Sequence, residues 1–137
     1  MPGRWEAPTA ILGRLLLATI FLISPLVNLV PNFGATVAAM TQAGVPLPAA
    51  ALVIANAMLL AGSLMLILGY RARLGALLLI LFLLPATYVF HAPWRAIDGA
   101  DAGQQAIHFT KNLGLMGAML LVTVLGPGPG SLKGRRP

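Results

Sequence analysis

The chain contains no cysteine among its 137 residues. That count excludes thiol nucleophiles, disulfide staples and thiolate metal sites. Acidic residues number three, and all charged residues together make up 9% of the chain. An ordinary soluble domain carries about 25%. Hydrophobic residues make up 58%, and the mean hydropathy is +0.88. A soluble domain of this size keeps a large fraction of its surface in water and has nowhere to hide so much apolar area. The scarcity of charge also excludes a disordered, self-repelling chain. The natural solvent of this sequence is lipid.

The net charge is +6. In a soluble domain such a balance would suggest nucleic acid. Here the basic residues form no reading face, so no nucleic-acid partner is read. They punctuate apolar runs, as in proteins whose orientation in a bilayer is set by Lys and Arg.

Four apolar runs are present, at 11–30, 49–69, 74–91 and 106–125. About 20 helical residues cross a hydrocarbon core of about 30 Å. The runs lack period-2 alternation, which argues against a barrel. The expected fold is an all-α membrane protein, a bundle of four transmembrane helices. The first run is longer than a secretory h-region and reads as an uncleaved signal anchor. Phe33, Val37 and Met40 recur at helical spacing between the first two runs and predict a short interfacial helix. Tyr70–Arg73 reads as a tight turn, 92–105 as a polar loop and 126–137 as a mobile, basic, Gly/Pro-rich tail. Residues 1–128 then form the membrane unit and 129–137 a cytoplasmic tail.

Seven basic residues (Arg4, Arg14, Arg71, Arg73, Lys133, Arg135 and Arg136) fall on one side of this arrangement, and Arg95 and Lys111 on the other. The positive-inside rule puts both termini in the cytoplasm, in a bacterial inner membrane. Trp5 and Tyr70 fall at the inner interface, Tyr88 and Trp94 at the outer one. Arg14 is close enough to the inner surface to snorkel towards lipid phosphate.

Polar residues inside spans are costly and default to functional hypotheses. Asn28, Asn56, His91, His108, Lys111 and Asn112 all fall in the outer half. They are the candidate ligand-binding residues. The spacing of His108, Lys111 and Asn112 puts them on one helix face. His91, Lys111 and Asn112 are expected to line a small pocket for an anionic or quinone headgroup. The plainer reading stands beside it: the Asn amides as interhelical glue, the His rings at an interface, Lys111 snorkelling outward. No catalytic residue, metal site or haem signature is read. Gly62 and Ser63 on the second span, and Gly114, Gly117 and Ala118 on the fourth, are candidate helix-packing positions.

Three stretches carry a resemblance: GRLLLATIFLISPLVNLVPNFGATVAAMTQAGVPLP, AGSLMLILGYRARLGALLLILFLLPATYVFH and HFTKNLGLMGAMLLVTVLGPG. Together they resemble the DoxX family of small four-helix membrane proteins, over roughly Gly13 to Gly128. The resemblance implies a membrane subunit. Some members serve quinone-linked oxidoreductases, notably in thiosulfate oxidation, and others oxidative-stress complexes. Two positions depart from the family. Asn28 stands where a Lys is common, and Leu59 where a Glu is common. Loss of that carboxylate weakens the case for proton-coupled or quinone chemistry and favours an accessory role. Three functions remain open: an accessory subunit of a respiratory or redox complex, holding other membrane subunits and contacting quinone or lipid; a quinone-binding oxidoreductase subunit; or a small transporter or lipid-binding protein.

Overall fold

The structure is a computed structural model that describes residues 3–28 and 31–132, with the side chain of Asn28 not described. Lys133, Arg135 and Arg136 lie outside the described residues, as does the carboxamide of Asn28. All regular structure among the described residues is helical, with no strand. Helices α1 (Glu6–Asn28), α3 (Pro48–Leu68), α4 (Ala72–Phe90) and α5 (Gly99–Leu125) are each long and apolar enough to cross a membrane. The short helix α2 (Phe33–Gln42) lies between the first two spans, where Phe33, Val37 and Met40 predict it.

The spans alternate in direction, and α3 packs between α1 and α4 while α5 packs on α4. Residues Ala18, Phe21, Leu59, Leu66, Ala76, Leu79 and Met119 meet in one core drawn from all four spans. Large apolar side chains such as Leu16, Ile54 and Leu121 are left more than half exposed. In water that would be a liability, whereas in a bilayer it is the lipid-facing coat.

The α3–α4 pair owes its closeness to two glycines. A Cβ at Gly62 would stand 2.8 Å from Leu79 Cγ and 3.0 Å from the Gly75 carbonyl oxygen. A Cβ at Gly75 would stand 2.8 Å from Met65 Cβ. Small residues at such crossings let two backbones approach and gain dispersion contacts, the main attraction available in lipid. The turn between these helices is as tight as predicted. Gly69 ends α3 in the left-handed region at φ 67°, and α4 starts at Ala72.

Three expectations fail. The 92–105 segment is not a loop: a single 3₁₀ turn spans Pro93–Arg95, and α5 starts at Gly99. The reason is a cap. The Asp98 carboxylate accepts from the Asp101 amide at 2.8 Å, satisfying a backbone donor at the helix start. Residues 126–132, read as the start of a mobile tail, dock across the ends of α1 and α3. Gly126, Gly128 and Gly130 adopt positive φ and fold the segment back. The Leu132 amide donates to the Leu68 carbonyl at 3.1 Å.

Arg14 is the other correction. It does not reach for lipid phosphate. Its side chain is buried, and its guanidinium donates to the Pro127 carbonyl at 2.7 Å and the Gly130 carbonyl at 2.9 Å. Irregular backbone has carbonyls that need donors, and Arg14 supplies them.

Candidate functional site

The antiparallel spans bring the ends of α1 and α4 and the starts of α3 and α5 to one end of the bundle. This end carries the polar residues. At the opposite end the core is Leu, Ala and Met, with Arg14 committed to the returning chain.

Among the cavities at the polar end, two adjoin each other around His91. The larger, about 360 Å³, lies among α1, α2, α3 and α4, with Met40, Asn56, Leu59, Phe90 and His91 in its walls. The smaller, about 180 Å³, lies among α1, α3, α4 and α5 and is lined by Phe21, Lys111, Asn112 and Leu115. Ser24, Leu59, Phe82, Ala86 and His91 border both. His91 therefore stands where the two cavities adjoin, and Leu59 contributes an uncharged wall to each.

Asn56 sits one helical turn before Leu59 on α3 and is 2% exposed. Its Nδ2 has no hydrogen-bond partner among the described residues. An orphaned buried amide donor costs about 1–3 kcal/mol. The amide lines the larger cavity rather than gluing two helices.

His91 closes α4, its amide donating to the Thr87 carbonyl at 3.0 Å. Its ring Nδ1 lies 3.2 Å from Gln105 Oε1 on α5. Gln105 Nε2 in turn faces Asp101 Oδ1 at 3.5 Å. The second Asp101 oxygen accepts from the Ile97 amide at 3.2 Å. The His91 and His108 rings stack with centroids 4.9 Å apart. Lys111 Nζ lies 3.3 Å from His108 Nδ1. A continuous polar seam thus runs from the Asp101 carboxylate in the first turn of α5 through Gln105 and His91 to His108 and Lys111.

The six candidate ligand residues are distributed as follows. His91, Lys111 and Asn112 share the smaller cavity, and Asn56 with His91 the larger. His108 reaches the site through the His91 ring and Lys111. Asn28 lies outside the described side chains. Asn112 is also bound in place, donating through Nδ2 to Thr87 Oγ1 at 2.9 Å in a buried α4–α5 link. Lys111 is exposed beyond its contact with His108.

Of the candidate packing residues, Gly62 makes the α3–α4 contact and Ala118 packs against the core. Ser63 is fully buried, its hydroxyl unpartnered among the described residues. A Cβ at Gly114 or Gly117 would meet nothing within 4 Å.

Sequence reasoning missed Thr87, Gln105 and the place of Asp101. Once α5 is extended to Gly99, Asp101, Gln105, His108 and Asn112 recur every three or four residues and form one stripe. That stripe was the available signal, hidden by reading a loop. Outside it, Trp94 stacks edge-on with Phe109 at 5.6 Å, and the Arg95 guanidinium sits 4.7 Å from the Tyr88 ring centre. These exposed amphipathic groups suit a membrane interface.

Chemically, the site offers an apolar chamber with a few directed polar atoms, the general form of a small-molecule pocket. The described residues hold no cluster of three metal-ligating side chains.

The DoxX family matches residues 9–92 of the chain. The inner membrane protein YphA of Escherichia coli (strain K12) is 32% identical over 125 residues, covering 91% of this chain and 88% of the relative. No solved structure matches the chain.

Proposed function

The chain belongs to the DoxX family of integral membrane proteins, and from that premise we propose that it is an accessory subunit of a larger membrane-bound redox assembly, held by its fourth span. The observation that carries this reading is the state of α5. That helix has 27 residues and buries only Asn112 and Met119, whereas α3 buries six residues in 21. Gly114 and Gly117 lie in its middle, and a Cβ at either would meet nothing within 4 Å among the described residues. A glycine inside a helix costs about 1 kcal/mol relative to alanine. Lipid contact gives no return on that cost, but a second helix seated closely on the glycines does.

In this reading the protein lies in the bacterial inner membrane, the location given in the name of the YphA relative. Both termini are cytoplasmic, and 1–128 is the membrane unit. The two cavities give the subunit a place to hold quinone or lipid beside its partner. Leu59, uncharged and bordering both, supports binding over proton-coupled chemistry.

The test is co-purification in mild detergent of tagged wild-type protein and of Gly117→Leu. Partner subunits should accompany the wild type and be depleted with the variant, at equal membrane insertion and equal thermal stability. Identical partners at identical yield would refute the role of this face.

A further inference from the structure

The larger cavity has a hydrogen-bond polarity that can be read from its neighbours. Asp101 is the starting point. An ionised carboxylate only accepts, and its oxygens face the Ile97 amide at 3.2 Å and Gln105 Nε2 at 3.5 Å. That contact orients the Gln105 amide with its NH₂ towards Asp101 and its carbonyl towards His91. Gln105 Oε1, 3.2 Å from His91 Nδ1, only accepts as well. Nδ1 must therefore carry the hydrogen. In the neutral ring the lone pair then lies on Nε2, so the free ring nitrogen of His91, a residue of the cavity wall, is an acceptor.

Asn56 has the opposite sense. Its Nδ2 is a donor, buried, and unpartnered among the described residues. The rest of the chamber is mainly apolar, with Met40, Leu52, Leu59, Phe82 and Phe90 in its walls beside Ser24 and Thr36, and the Thr36 hydroxyl already donates to the Asn32 carbonyl at 2.9 Å. The unpartnered Asn56 donor and the His91 acceptor thus share a wall that holds no charged residue. An alkane uses neither. A ketone or ester satisfies Asn56 and leaves His91 without a donor. A hydroxyl accepts from one and donates to the other.

We propose that this cavity binds a neutral bilayer molecule through a hydroxyl group carried on an apolar body, with Asn56 as donor, His91 Nε2 as acceptor, and Gln105 as the residue that sets the sense of His91. This rests on reading the cavity as a place for a bilayer amphiphile. Within the membrane, the hydroxyl can come from a phenolic quinol or from a glyceride alcohol.

The experiment uses the full chain in phosphatidylcholine nanodiscs, photolabelled with a diazirine-bearing long-chain alcohol and read by mass spectrometry. Labelling should map to the α2–α3–α4 chamber. 1-Dodecanol should compete at about tenfold lower concentration than 2-dodecanone, the discrimination expected from one net hydrogen bond. Gln105→Leu, on the accessible side of the seam, should abolish that preference while the thermal midpoint is retained. Nitrogen-15 NMR of the His91 ring should show Nδ1 protonated and Nε2 bare. Competition by decylubiquinol but not dioleoylglycerol assigns a quinol, and the reverse assigns a glyceride. Equal competition by alcohol and ketone, or an Nε2-protonated ring, overturns the proposal while leaving the cavity as a binding site. Absence of labelling in the chamber overturns both.

Discussion

Arg14 donates to the Pro127 carbonyl at 2.7 Å, joining the third turn of the first helix to a residue 113 positions later. A second bond, to Gly130 at 2.9 Å, makes the guanidinium a clasp for the returning chain. Bonds from charged donors are worth about 1.5–3 kcal/mol each. Arg14→Met should therefore release residues 126–132. Hydrogen exchange in detergent should show the Leu132 amide losing protection while the amides of α3 keep theirs. Unchanged protection at Leu132 would show that the glycine turns hold the segment unaided.

The two glycine pairs predict opposite sensitivities. Gly62→Ala places a Cβ against Leu79 and the Gly75 carbonyl. Overpacking of this kind costs about 1–3 kcal/mol. Gly117→Ala places a Cβ that meets nothing within 4 Å among the described residues and should gain about 1 kcal/mol of helix propensity. Thermal unfolding of the isolated protein in detergent should rank the variants in that order. A destabilised Gly117→Ala would mean that α5 is packed more closely within the chain than its open face indicates.

Asn112 and Thr87 should be energetically coupled, because their 2.9 Å bond is buried between α4 and α5. Interhelical hydrogen bonds in lipid average about 0.6 kcal/mol and reach about 1.7. A double-mutant cycle with Asn112→Leu and Thr87→Val should give a coupling in that range. A coupling of zero would mean that the two groups find equivalent partners when separated.

Orientation follows from charge. Seven basic residues against two predict that a reporter fused after Pro137 reports cytoplasm and one inserted between Arg95 and Asp98 reports the far side. Reversal of both signals would invert the topology, and equal signals would remove one span.

The helices were legible because each depends on local composition. Runs of about 20 apolar residues, the Phe33–Val37–Met40 spacing and the Gly69 turn are all short-range patterns. The start of α5 was misjudged because Ala92–Gln105 is rich in Gly, Asp and Gln, which suggest a loop by composition. The Asp98–Asp101 cap outweighs that composition by satisfying the first turn. The site was half legible. Asn56, His91 and Lys111 announce themselves as polar groups in apolar runs, but Gln105 does so only once it is known to be helical. The partners of Arg14 are backbone carbonyls, which no side-chain pattern reveals, and they arrive from the far end of the chain.

The central claim is that α5 is the face by which this protein joins another membrane protein. Site-specific photo-crosslinking in intact cells tests it most directly, with the crosslinker at Gly117 on α5 and, for comparison, at Ile54 on α3, whose side chain is 60% exposed. Position 117 should give a discrete adduct with a different membrane protein, while position 54 should give lipid adducts alone. The account would be contradicted by lipid adducts at both positions, or by a partner captured at Ile54 and not at Gly117.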